Sequence, residues 1–365
     1  MNILLVAPYG GVPGGISRWT GHVIEYYKEH GRQDCELDLV PMGRTMFVNA
    51  GSSIAYRLWT AFKDYRAILQ DYRTKLRSKP YDVMHLTSSA SLSLIKDLYI
   101  IHKAKRRGAK TIVHFRFGRI PELAQQRNWE WQLLVKVVKA VDKAIVIDKK
   151  SYDTLLAQGF TNIELLPNPV APAVTDIVTA NATVPRQPRR LLFAGHVVKT
   201  KGVFELLEAC SALSDIHLRL IGYITPDMRE QIDAIYKGAA WLTVCGERPY
   251  EEVIREMLAC DVFILPTYTE GFPNVILESM ACGCAIVTTP VGAIPEMLEE
   301  TDGRRYGLMV EPQNAELLKA AIEKMLSDEA LKAECRVNAQ QRVNERYNID
   351  SVWRQMVDIW NETIE

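Results

Sequence analysis

Two carboxylates, a lysine and several glycines stand beside short apolar runs, and their spacing suits chemistry on a sugar linked to phosphate. In Phe263-Ile-Leu-Pro-Thr-Tyr-Thr-Glu-Gly-Phe-Pro-Asn-Val-Ile-Leu-Glu278 an apolar run leads into a loop bearing Glu270, Gly271, Phe272, Pro273 and Asn274, and a helix then carries Val275 and Glu278. Proline suits a first helical position. The amides of a helix start lack intrahelical partners and carry the positive end of the dipole, so they can hold a phosphate or a sugar oxygen. Glu270 and Glu278 flank that start, and carboxylates accept hydrogen bonds from vicinal hydroxyls at the two ends of an extended ligand. The plainer alternative is a solvated loop carboxylate and a helix-face charge. In Leu191-Leu-Phe-Ala-Gly195-His196-Val-Val-Lys-Thr-Lys201-Gly202 a strand ends at a glycine and a loop offers His196 and Lys201. A departing diphosphate needs cations where its charge develops. Gly10-Gly11-Val-Pro-Gly14-Gly15-Ile-Ser-Arg18 places glycines at another helix start, where backbone can approach phosphate. It lacks the GxGxxG spacing of a dinucleotide fold. In Ile112-Val-His114-Phe-Arg116, His114 and Arg116 share one face of an extended chain.

The elements that must position these groups follow a βαβ rhythm. Strand candidates in the first half are Asn2–Ala7, Leu37–Pro41, Val83–Thr87, Thr111–Phe115, Ala144–Ile147 and Ile163–Leu166. In the second half they are Arg190–Ala194, His217–Ile221, Leu242–Cys245, Val262–Pro266, Ala285–Thr289 and Gly307–Val310. Short apolar, β-branched runs separated by helical stretches imply parallel sheets covered on both faces. The reading is an α/β chain with an N-terminal domain over 1–170, a proline-bearing hinge over 171–188 without helical or strand periodicity, a C-terminal domain over 189–347, and an amphipathic helix over 348–365. Ligands of doubly wound sheets bind beyond the carboxyl ends of the strands, so the site is expected between the domains.

Composition excludes several classes. Of 365 residues 24% are charged and 48% hydrophobic, which suits folded domains with their own cores. Residues 1–170 hold 25 Lys and Arg against 15 Asp and Glu, and the remainder holds 19 against 29. The basic half suits an anionic partner such as a membrane surface, through Tyr56-Arg57-Leu-Trp59 to Lys79 and Arg127 to Lys143, or simply solvates its helices. No nucleic-acid recognition motif supports that other use of basic charge. Seven scattered cysteines show no CxxC pair and no zinc spacing, which suits a reducing cytosol. The opening Met1-Asn2-Ile3-Leu4-Leu5-Val6-Ala7-Pro8 reads as a strand and not as a signal peptide, and no apolar run reaches the length of a membrane span. The location expected is cytoplasmic, peripheral at the inner face of the membrane.

Glu270-Gly-Phe-Pro-Asn-Val-Ile-Leu-Glu278-Ser-Met-Ala-Cys-Gly283, with Val287-Thr-Thr-Pro-Val-Gly-Ala-Ile-Pro-Glu296 and Tyr306-Gly307, resembles the nucleotide-sugar signature of retaining GT-B glycosyltransferases of family 4, the glycosyltransferase group 1 proteins. The resemblance implies two Rossmann-like domains and transfer of a sugar, with retention, from a UDP- or GDP-linked donor to a hydroxyl of a glycan or lipid-linked acceptor in cell-surface polysaccharide synthesis. It implies donor contacts from Gly14, Gly15, His196, Lys201, Gly271, Phe272, Pro273, Asn274, Val275 and Glu278, with His114, Lys201 and Glu270 catalytic. Arg18 and Arg116 are candidates for an anionic acceptor. His196 stands where the family carries Arg, a departure that also fits a non-catalytic nucleotide-sugar-binding or scaffold subunit. No Asp-x-Asp occurs, so the expectation is no metal and no cofactor beyond the donor substrate.

Overall fold

The computed structural model describes residues 1–10, 15–42, 54–300 and 303–365, with 54–65 described by backbone alone. Among the described residues the chain forms two compact units, residues 1–168 with 349–365, and residues 169–348.

In the first unit the strands are β1 (Asn2–Ala7), β2 (Glu36–Pro41), β3 (Val83–Ser88), β4 (Lys110–Phe115), β5 (Lys143–Val146) and β6 (Ile163–Leu165). Its helices are α1 (Gly15–Glu29), α2 (Ile54–Ser78), α3 (Ser93–Lys105), α4 (Ile120–Gln126), α5 (Trp129–Ala140) and α6 (Lys149–Ala157). All strands are parallel, in the order β2-β1-β3-β4-β5-β6. Because side chains alternate along a strand, the sheet feeds two cores. Leu4, Val6, Met84, Leu86, Val113 and Phe115 enter one. Ile3, Leu5, Ala7, Val83, Ile112 and Ile145 enter the other, which also holds Trp19 of α1.

The second unit holds α7 (Pro172–Ala180), β7 (Arg190–Ala194), α8 (Val203–Ser211), β8 (His217–Ile221), α9 (Pro226–Tyr236), β9 (Leu242–Gly246), α10 (Tyr250–Ala259), β10 (Val262–Leu265), α11 (Asn274–Ala281), β11 (Ala285–Thr288), α12 (Ile294–Leu298), β12 (Leu308–Met309), α13 (Ala315–Ser327) and α14 (Glu329–Arg346). Its parallel sheet runs β12-β11-β10-β7-β8-β9. The segment expected to lack periodicity therefore contains a helix. Pro172 starts α7, Val174 is fully buried, and Ile177 and Val178 pack on the core of the second unit.

The last helix, α15 (Ile349–Ile364), belongs to the first unit. Val352, Trp353, Met356, Ile359 and Trp360 recur at helical spacing and are buried in the core shared with Trp19. Gly31 lets a ring of that helix come close: a Cβ there would lie 2.4 Å from Trp353. No helix among the described residues is long and apolar enough to cross a membrane.

Candidate functional site

In the second sheet the chain runs outward from β7 through β8 to β9, then returns to the other side of β7 as β10. The gap between β7 and β10 is thus the topological switch point, where loops leaving the strand ends diverge and a ligand can enter. The two loops that flank it carry Lys201 and Glu270. Their side chains form an ion pair, with about a quarter of the lysine side chain and a seventh of the carboxylate exposed.

Local folding explains the meeting. After β7, Gly195 turns the chain, a short 3-10 turn spans Lys199–Lys201, and Gly202 adopts φ +69° before α8. A Cβ on Gly202 would lie 2.0 Å from the Pro266 carbonyl oxygen, so glycine lets this loop lie on the one after β10. The Tyr268 amide donates to the Thr200 carbonyl at 2.9 Å, and the Tyr268 hydroxyl donates to Glu205 at 2.6 Å. On the other side, the loop after β11 braces Glu270. The Ala293 amide donates to the Gly271 carbonyl at 2.9 Å, and a Cβ on Gly292 (φ +56°) would lie 2.4 Å from the Glu270 carbonyl oxygen. Three strand-end loops thus form one braced rim.

The rim leads into α11. Pro273 is its N-cap residue and Asn274 its first helical residue, one position later than the sequence suggested, and no side chain caps the end. At the opposite end Arg186 donates to the carbonyls of Cys282 at 2.6 Å and Gly283 at 2.7 Å, which satisfies orphan acceptors and favours the dipole. Glu278 accepts a hydrogen bond from Tyr250 at 2.9 Å. Phe272 and Val275 are partly buried and pack on the core, with the Phe272 ring 6.2 Å from that of Tyr347, so they hold the loop in place. His196 is exposed, its ring edge-on to Tyr223. The arrangement offers a cation, two carboxylates and an uncapped helix start along one sheet end.

The first unit holds the other candidates. Gly15 opens α1 and is exposed, as is Arg18 one turn on. Gly14 lies outside the described residues, as do Gly11, Asp302 and the side chains of Arg57 and Trp59. His114, expected to be catalytic, is completely buried, and its ring contacts are to protein side chains. Its Nδ1 lies 3.3 Å from His85 Nε2, and its Nε2 lies 3.1 Å from Arg116 Nη1. Trp360 donates to His85 Nδ1 at 3.0 Å. Burial, helped by the Arg116 charge, lowers His85 to about 3 and holds His114 well below the usual imidazole value. Arg116, just past β4, is partly buried and lies 4.3 Å over the Trp19 ring. Desolvation lowers it to about 9.

Other cations of the basic half are engaged within the unit. Lys79 pairs with Glu36 at 2.7 Å and Asp38 at 2.8 Å, Arg73 meets Tyr99, and Lys75 donates to the Leu39 carbonyl. Sequence reasoning missed Tyr250, His85 and Gly292 as site-building residues. Gly292 had a local signal in Pro-Val-Gly-Ala-Ile-Pro, whereas Tyr250 and His85 had none.

Residues 177–342 match the family model "Glycosyl transferases group 1". The amylovoran biosynthesis glycosyltransferase AmsK of Erwinia amylovora is 28% identical over 186 residues, covering 47% of this chain and 44% of that protein. The capsular polysaccharide biosynthesis glycosyltransferase CapM of Staphylococcus aureus is 27% identical over 176 residues, covering 46% and 45%. The chain thus spans less than half the length of these curated relatives. Among solved structures, a sucrose-phosphate synthase from Thermosynechococcus elongatus aligns over 99% of this chain and 98% of its own with a TM-score of 0.75 at 17% identity. At that identity the likeness gives the fold, the two parallel sheets with flanking helices of the GT-B type.

Proposed function

With residues 177–342 belonging to the group 1 glycosyl transferases, we propose that this chain transfers a sugar from a nucleoside-diphosphate donor to a hydroxyl of a glycan or lipid-linked acceptor in cell-surface polysaccharide synthesis. The observation that carries this reading is the Lys201–Glu270 pair at the switch point of the second sheet, beside the uncapped start of α11. The donor diphosphate would lie at that start, with Glu278 on the ribose and Glu270 on the transferred sugar. The relative AmsK, an amylovoran biosynthesis glycosyltransferase, and the structure of Anabaena HepE in complex with UDP-glucose support the donor and acceptor classes.

The reaction proposed is a same-face displacement with retention. The bond from the anomeric carbon to the phosphate oxygen breaks, and the bond to the acceptor oxygen forms on the same side. The acceptor proton passes to an oxygen of the leaving nucleoside diphosphate. Lys201 and the α11 amides oppose the charge that develops on the diphosphate, and the protein otherwise supplies position. Glu270 holds the Lys201 ammonium in line before the donor arrives, which is preorganisation, and no metal is required in this scheme.

The test is release of nucleoside diphosphate by the purified chain across UDP- and GDP-sugars. Lys201→Ala and Glu270→Ala are each expected to cut turnover by about 10²–10³, the loss typical of one preorganised charge-stabilising group, with melting temperature little changed. Near-normal turnover in a folded variant would overturn these roles. His196 favours a second reading, a nucleotide-sugar-binding subunit without turnover; binding of the donor with no release of nucleoside diphosphate under any acceptor would favour it.

A further inference from the structure

We infer that Arg116 is an anion-binding residue of the first unit, held on Trp19 and kept unsatisfied by the His85–His114 pair, and that its ligand carries a phosphate or carboxylate group. The case begins with a count of hydrogens. Trp360 can only donate through Nε1, so His85 Nδ1 accepts and the single ring proton of neutral His85 sits on Nε2. That proton points at His114 Nδ1. His114 then carries its own proton on Nε2, which faces Arg116 Nη1, a group that only donates. Moving the His114 proton to Nδ1 transfers the conflict to the contact between the two histidines. Four N–H hydrogens meet three contacts, and protonating either ring adds a fifth.

The same cluster is short of acceptors elsewhere. Arg116 Nε and Trp19 Nε1 are buried without hydrogen-bond partners. Thr87 Oγ1, next to His114 in the ladder, is also without a partner and does not take up the surplus. No carboxylate lies within ion-pair distance of Arg116 among the described residues, and desolvation alone shifts its pKa. A partly buried guanidinium whose Nε is buried without a partner and which has no counter-charge among the described residues is costly to maintain for structure alone. Here it stands at the carboxyl end of β4, where ligands of such sheets bind. Phosphate and carboxylate oxygens supply what is missing: acceptors with negative charge, in the geometry of the guanidinium fork. His85 and His114 act as positioning residues, because their proton arrangement leaves Arg116 free to exchange His114 for an anion.

The assignment of the anion to donor or acceptor rests on the transfer reading above; the site itself does not. The test uses the full chain, with inorganic phosphate as probe, followed by calorimetry and by the ¹⁵N signals of labelled histidine. In Lys201→Ala, which removes the cation of the candidate donor site in the second unit, phosphate binding through the first unit is expected to persist. Arg116→Gln in that background is expected to weaken it by about tenfold or more, the scale of one charge-assisted hydrogen bond. Gln offers His114 Nε2 an acceptor, so Arg116→Gln is also expected to melt at or above the parent temperature. Phosphate should shift the His114 signals in the parent chain. Equal phosphate binding by the parent and Arg116→Gln would overturn the proposal, as would His114 signals indifferent to phosphate together with a lower melting temperature in Arg116→Gln. Parallel titrations with UDP and with glucose 1-phosphate assign the source: loss of UDP affinity in Arg116→Gln traces the anion to the donor, and loss of sugar-phosphate affinity alone traces it to the acceptor. None of these readouts needs turnover, so a failure here leaves the Lys201 and Glu270 predictions standing, and the reverse also holds.

Discussion

His85 and His114 spend polar groups inside an apolar face, and the cost depends on pH. Both rings are neutral in the folded chain and take up protons when it unfolds below about pH 6.5. Their contribution is complete above that value and is lost as pH falls, down to about 3 for His85. Each ring steepens the loss by about 1.4 kcal/mol per pH unit, and between pH 6.5 and 5 most carboxylates do not yet titrate. Urea unfolding of the first unit at pH 6.5 and 5 measures this together with the same-sign effect of His22, which burial lowers, and the opposing effect of Asp97 and Asp148, which burial raises. The expected result is a drop that shrinks but does not vanish in His85→Asn, because one linked proton is removed while those of His114 and of His22, which burial also lowers, remain. Arg342 shows how backbone carbonyls help to satisfy an arginine that lies on an aromatic ring: it donates to the carbonyls of Met297 and Glu299 at 3.0 Å and lies on the Tyr306 ring. Arg116 has the ring but not the carbonyls.

At the level of the element, the strand-end loops depend on two glycines. Gly202→Ala must place a Cβ within van der Waals contact of the Pro266 carbonyl at a positive φ, which costs about 1–3 kcal/mol for the backbone alone. Relief requires Lys201 to move away from Glu270. The expected result is a lower melting temperature and a larger proportional loss of donor affinity than of stability, measured by nucleotide-sugar titration of the folded variant. Alanine at the exposed Gly15, where a Cβ meets nothing within 4 Å, is the control expected to leave stability unchanged. These loops were legible from sequence because their information is local: strand, glycine, charge and helix start lie within about a dozen residues of one another. All twelve strand candidates form strands, since short β-branched runs carry their own signal. α7 was not legible. Val174, Thr175, Ile177, Val178 and Thr179 have low helix propensity and sit between prolines, so only packing on the second core makes them helical. Nor was the histidine chain legible, because His85 depends on partners 29 and 275 residues away in sequence.

For the whole molecule, the division into units does not follow the order of the chain. The first unit closes only when α15 supplies Val352, Trp353, Met356, Ile359 and Trp360 to its core. At about 1.5–3 kcal/mol for each large buried side chain, removing them takes away about 10 kcal/mol, comparable to the entire stability of a typical domain. Deletion of 349–365 is therefore expected to unfold the first unit while the second keeps its cooperative transition, with two calorimetric transitions reduced to one. Two transitions surviving the deletion would show that the α15 packing is dispensable.

That arrangement also sets an order of events during synthesis. Translation proceeds from the amino end, yet the unit begun earlier needs residues 349–365, which are made after residues 169–348, whereas residues 169–348 are continuous. The later unit is thus complete on the ribosome while the earlier one still shows the apolar face that α15 will cover, and it is that nascent intermediate which a chaperone would be called on to shield.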